Sequence, residues 1–169
     1  MNSYVIDTNV LVVANGKYQK ATYKHVYICQ KFLMDIREKK VSIDSLGLIL
    51  KEYFAHASRS GQPGIGDVFA KWLWYNQWNI SSCERVEITP DENGEKGFVE
   101  FPGDEDLKTF DMSDRKFVAV AVKSEFDAVI CNATDSDWWE HKNHFKRHGI
   151  KINFLCLDLI KKGTDHPGL

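Results

Sequence analysis

The sequence predicts an α/β chain built on a central parallel sheet. Three observations carry this prediction. Tyr4-Val5-Ile6 is a short apolar run that ends in an acid, Asp7, as suits a strand buried on both faces. A helix-period segment then separates it from a second short strand, Val41-Ser42-Ile43-Asp44, and strand–helix–strand order implies a right-handed parallel crossover. Phe126 to Cys131 is a further apolar run, and it too ends at polar residues, Asn132-Ala133-Thr134-Asp135.

The elements follow in order. Asn15-Gly16 is a turn signal after the first strand. From about Thr22 to Lys39, Val26, Cys29, Phe32, Leu33 and Ile36 recur at helical spacing, and Lys39-Lys40 suits the negative end of the helix dipole. Ser45 is the expected cap of a helix from about Leu46 to Ala57, with Glu52 beside its apolar stripe. Gly61, Pro63, Gly64 and Gly66 break the chain before a helix capped by Asp67 that runs to about Gln77. This helix holds Phe69, Trp72, Leu73 and Trp74, an aromatic content that reads first as core or partner-facing surface.

Val86–Thr89 and Phe98–Phe101 flank an Asn93-Gly94 turn and predict a β-hairpin inserted at about 86–101. The acidic stretch Asp104-Glu105-Asp106 reads as solvated surface. Ser113 or Asp114 opens the next helix, whose Phe117, Val118, Val120 and Ala121 form an apolar face. Ser136 or Asp137 caps a helix to about His148, with Gly149 at the position after its end. A last strand spans 150–157. The chain reads as one domain, 1–160, with a flexible tail at 161–169.

Composition limits the function. The 169 residues make one core, and a net charge of -2 with a pI of about 6.3 argues against nucleic-acid binding by bulk charge. Any such contact needs a local patch or metal ions. Cys29, Cys83, Cys131 and Cys156 show no CxxC spacing and read as buried thiols in a reducing compartment. With no signal peptide and no membrane-length apolar run, the expected location is the cytoplasm.

Asp7 and Asp135 follow parallel strands, whose carboxyl ends share one edge, where open α/β sheets collect ligands. Asp114 at a helix start and Glu52 on the second helix are placed to reach the same edge. Grouped carboxylates suit hard divalent ions such as Mg²⁺ or Mn²⁺, which serve phosphoryl-transfer chemistry.

Four segments together resemble the PIN-domain nucleases: Val5-Ile6-Asp7-Thr8-Asn9-Val10, Ile49-Leu50-Lys51-Glu52-Tyr53, Asp114 to Ala121, and Ile130 to Asp137. The resemblance covers about residues 3 to 157. It implies a PIN-like three-layer α/β/α fold and a Mg²⁺- or Mn²⁺-dependent endoribonuclease. Asp7, Glu52, Asp114 and Asp135 carry over to the family's four acids. Asp7, Asp114, Asp135 and the nearby Asp137 would ligate metal, with Thr8, Asn9 and Thr134 in support. It also implies an RNA substrate, an antitoxin protein as partner in a toxin–antitoxin pair, and a homodimer, as in many members of the family. Asp111, one turn before Asp114, is the competing third acid.

Trp138, Trp139 and Lys142 follow the fourth acid and are read as substrate contacts, one Trp packing on the sheet while the other stacks a base. His141, His144 and His148 share one helix and read as a solvated face rather than a metal site. The alternative function is a catalytically idle PIN-like module that binds RNA or protein. A haloacid-dehalogenase-like phosphatase would need a second Asp where Asn9 stands.

Overall fold

The computed structural model describes residues 1–164, with side chains through 161. Five strands form one all-parallel sheet: β1 (Asn2–Ile6), β2 (Lys40–Asp44), β3 (Cys83–Val86), β4 (Asp127–Asn132) and β5 (Lys151–Phe154). Their spatial order is β3-β2-β1-β4-β5. β1 lies at the centre, and the chain reverses its direction of travel across the sheet between β1 and β4. That switch point opens a crevice at the carboxyl ends of these two strands.

Val5 and Ile6 are fully buried, each burial contributing about 1.5–3 kcal/mol. α1 (Thr8–Ala14) follows at once and packs against α2 (Tyr23–Asp35), α3 (Leu48–His56) and α4 (Ile65–Asn76). α5 (Arg115–Lys123) packs against β1, β2 and β4. Right-handed crossovers put α5 on the face opposite α1–α4, giving helices on both sides of the sheet. α6 (Ser136–Glu140) and α7 (Lys142–Arg147) link β4 to β5, and α8 (Leu157–Thr164) ends the described chain. None of the described helices is long and apolar enough to cross a membrane.

Several elements differ from expectation. Gly47 holds the N-cap position of α3, and the side chain that caps it is that of Asp44, not Ser45: its carboxylate accepts from the amides of Leu48 and Ile49, both at 2.8 Å. Gly47, at φ 80°, makes the turn that brings those amides back onto it. Asp67 lies inside α4 and reaches back to the Gly64 amide at 2.8 Å. The expected hairpin is reduced to a single antiparallel bridge, Pro90 to Phe98, because Cys83–Val86 pairs in parallel with β2 instead. The helix expected to run to His148 breaks at His141, and Gly149 (φ 73°) closes the second piece as anticipated. The expected tail at 161–169 begins within α8, and 165–169 lie outside the described residues.

Residues 87–111 form an irregular excursion anchored from below. Phe110 stacks on Phe101 and meets Trp138 and Phe145 edge-on at 4.7 and 4.9 Å. The buried Arg115 guanidinium donates to the carbonyls of Lys108 and Phe110 at 2.9 Å and of Glu95 at 3.0 Å. One side chain thus satisfies several backbone acceptors of a largely irregular stretch.

Candidate metal centre

Asp7 leaves β1 at the switch point. Its amide bonds the Cys131 carbonyl at 2.9 Å, which continues the β1–β4 ladder by one residue and aims the side chain into the crevice. The carboxylate caps α1, accepting from the Asn9 amide at 3.1 Å. Its second oxygen accepts from the indole nitrogen of Trp138 at 2.7 Å. Both the turn-and-cap role and the ligand role are therefore open to one side chain.

Asp135 follows β4 and caps α6 through the Asp137 amide at 2.9 Å. Asp114 ends a short 3-10 turn (Met112–Asp114) that leads into α5. One carboxylate oxygen from each of Asp7, Asp114 and Asp135 lies within 4.8 Å of the others. Of the two candidates for third acid, only Asp114 joins this group. Asp111 is exposed and caps the turn instead, accepting from the Ser113 amide at 2.8 Å.

Glu52 borders the trio without entering it. Thr8 Oγ1 donates to Glu52 Oε1 at 2.5 Å, while Glu52 Oε2 forms an ion pair with the Lys116 ammonium. Lys116 is itself buried and also donates to the Ser113 carbonyl. Asn9 ties the two acid-bearing loops together: its amide donates to Asn132 Oδ1 at 2.6 Å and its carbonyl accepts from the Ala133 amide at 2.8 Å. Asn132 in turn donates to the Asp135 carbonyl at 2.8 Å. Beneath the site, the buried Tyr53 hydroxyl donates to the Ile6 carbonyl.

The electrostatics follow from crowding like charges in a poorly solvated place. Burial, above all, pushes Asp7 up to about 7; Asp135 and Glu52 add to the rise, while the Asn9 amide and Trp138 indole oppose it. Asp114 is pushed up to about 8, first by burial and then by the charges of Asp7 and Asp135. Asp135 is raised as well, again chiefly by burial.

Comparison with protein-family models, curated proteins and solved structures found no match.

Other expected site residues fall differently. Asp137 stands outside the trio: it accepts from the Asp111 amide at 2.8 Å and pairs with His141 Nδ1 at 3.0 Å. These contacts make it a brace for the 111–114 turn. Thr134 is half-buried and makes no side-chain hydrogen bond among the described residues. Trp138 is fully buried, so it holds Asp7 and cannot stack a base. Trp139 packs on Phe154, and the Lys142 ammonium lies 3.8 Å over its ring, which covers part of the surface a base would use.

The histidine helix is not a solvated face throughout. His141 is buried against Phe110 and bonded to Thr109 at 3.0 Å. The acidic stretch is likewise engaged: Asp104 binds His148 at 2.8 Å, and Arg147 bridges Asp104 and Asp106 at 3.2 and 2.8 Å. Among the described residues, Asp104, Asp106 and His144 also lie close enough to surround an ion, but the Arg147 cation already neutralises them. Sequence reasoning gave no role to Lys116, Arg115 or Asn132. A Lys two residues after an acid at a helix start is the one signal that could have flagged Lys116.

Proposed function

We propose that this chain is a metal-dependent endoribonuclease of PIN-like architecture. One observation carries the reading: three carboxylates on three separate elements meet within 4.8 Å at the switch point of a parallel sheet. Burying three acids together without a cation costs folding free energy. The raised values of Asp7 and Asp114 register that cost, and the oxygen-only donor set fits a hard divalent cation.

Asp7, Asp114 and Asp135 would hold Mg²⁺ or Mn²⁺. Such an ion supplies Lewis-acid activation of water and charge neutralisation at a phosphodiester. The protein's part is positioning. Trp138 and the Asn9 amide fix both oxygens of Asp7, so its carboxylate cannot swing away. The Asn9–Asn132 pair keeps the β1 and β4 loops in register, and with them Asp7 and Asp135. Glu52, held by Thr8 and Lys116, sets the crevice wall beside the trio and is the candidate to orient the attacking water.

RNA as substrate, an antitoxin partner and a homodimer rest on the resemblance of the four segments. The test is incubation of the purified protein with total RNA in Mg²⁺ or Mn²⁺ and, in parallel, in EDTA, followed by end mapping. Divalent-dependent cuts with 5′-phosphate ends support the reading. Intact RNA in every condition supports the idle binding module instead.

A further inference from the structure

Two surface clefts share Lys51 as a common wall. One adjoins the acidic crevice and is lined by Leu48, Glu52, Phe98, Met112 and Lys116. The other lies between α3 and α4, with Leu46, Phe54, Arg59, Trp74 and Arg85 along its walls. Lys51 stands between them, so the two clefts flank α3 on either side, the nearer one reaching Glu52.

The far cleft is locally basic. The protein carries 24 acidic and 22 basic side chains, yet this cleft is lined by three cations and no carboxylate. Lys51, Arg59 and Arg85 form no ion pair among the described residues. Arg59 rests 4.8 Å over the Phe54 ring, and Arg85, on the border with a neighbouring cleft that Glu84, Glu87 and Glu125 also line, covers one face of Trp78 at 3.9 Å and leaves the other open. Trp74 meets Phe54 edge-on at 6.0 Å. Trp74 and Trp78 are 46% and 74% exposed, although Phe69 and Leu73 on the same helical segment are buried.

Indole faces left in water beside unneutralised cations match the chemistry of a single-stranded polyanion. Bases stack on the rings while phosphates meet the cations. We infer that single-stranded RNA crosses α3 at Lys51 between these two clefts, with Trp74 and the open face of Trp78 stacking bases and Lys51 and Arg59 contacting phosphates one side of the cut. The inference rests on the nuclease reading for the identity of the polyanion, but its test does not depend on cleavage.

The experiment measures binding of a fluorescent 2′-O-methyl RNA oligonucleotide, which resists cleavage, by anisotropy in EDTA. Full-length wild type is compared with Trp74→Ala/Trp78→Ala and with Lys51→Ala/Arg59→Ala, after circular dichroism establishes that each variant is folded. Each pair is expected to lower affinity about tenfold or more. The cation pair is also expected to flatten the slope of log affinity against log salt by about 1.4, a readout that lost packing would not move. Trp74→Phe/Trp78→Phe should restore most of the binding. Wild-type affinity and slope in both pairs would overturn the inference. So would sedimentation showing that the Trp pair breaks a dimer while RNA affinity stays unchanged. Loss of binding in the variants with no RNA cleavage by wild type would leave the binding surface standing and remove the nuclease reading. Cleavage with unaltered binding would do the reverse.

Discussion

The indole nitrogen of Trp138 donates to Asp7 Oδ2 at 2.7 Å, from a ring with no exposed surface. This one bond links the aromatic cluster under the 87–111 excursion to the acid at the centre of the sheet. Replacing the indole by Phe keeps an apolar ring but leaves Asp7 without its second partner. Trp138→Phe should therefore weaken Mn²⁺ binding by about 10- to 100-fold, as loss of a residue that orients a ligand does. Isothermal titration at pH 8 checks this, with thermal unfolding run alongside to separate a loss of fold.

The metal-free protein should lose stability as pH rises. Asp7 and Asp114 have values of about 7 and about 8 when folded, against an ordinary 3.8. Between these limits the folded state binds more protons than the unfolded state, so unfolding free energy falls with pH. The penalty is absent below about pH 4 and complete above about pH 8. Midpoints from urea titrations in EDTA across that window should decline, and Asp114→Asn should flatten the decline. Added Mn²⁺ should reverse the trend, because it binds the ionised carboxylates.

Lys116 and Glu52 should behave as a unit. Lys116→Met leaves the half-buried Glu52 carboxylate, and Glu52→Gln the buried Lys116 ammonium, without its ionic partner, so each alone should be destabilising by about 1–3 kcal/mol. The double variant should lose less than the sum of the two. A double-mutant cycle by chemical unfolding measures the coupling, and additive losses would show that the pair is incidental.

Arg115→Met should loosen the excursion ahead of the sheet. Four loop carbonyls, those of Glu95, Leu107, Lys108 and Phe110, lose this donor together, for a stability loss of about 2–4 kcal/mol. Hydrogen exchange should rise across 87–111 while the β1 and β4 amides stay protected.

What could be read from the chain alone follows the range of each interaction. The central strands were visible because burial on both faces leaves an uninterrupted apolar run, as at Val5-Ile6 and Ile130-Cys131. Their shared carboxyl edge then placed Asp7 and Asp135 near one another before any coordinates. Caps were less readable: Asp44 displaced Ser45 because Gly47 turns the chain back onto it, a preference set by three residues acting together. The hairpin signal around Asn93-Gly94 was locally sound, but the vacant edge of β2 took residues 83–86 as a parallel partner. Which of Trp138 and Trp139 packs inward was not readable, because nothing local separates an indole that stacks a base from one that braces an acid. The choice between Asp111 and Asp114 also needed coordinates, since both lie beside the same short turn.

The most direct test of the proposed metal centre is the initial rate of RNA cleavage in Mn²⁺ by wild type and by Asp7→Asn, a change that preserves size and keeps one acceptor oxygen, enough for the Trp138 bond but not for the Asn9 amide as well. The account predicts a fall of at least about a hundredfold, with the circular dichroism spectrum unchanged. Cleavage at the wild-type rate by Asp7→Asn would contradict it.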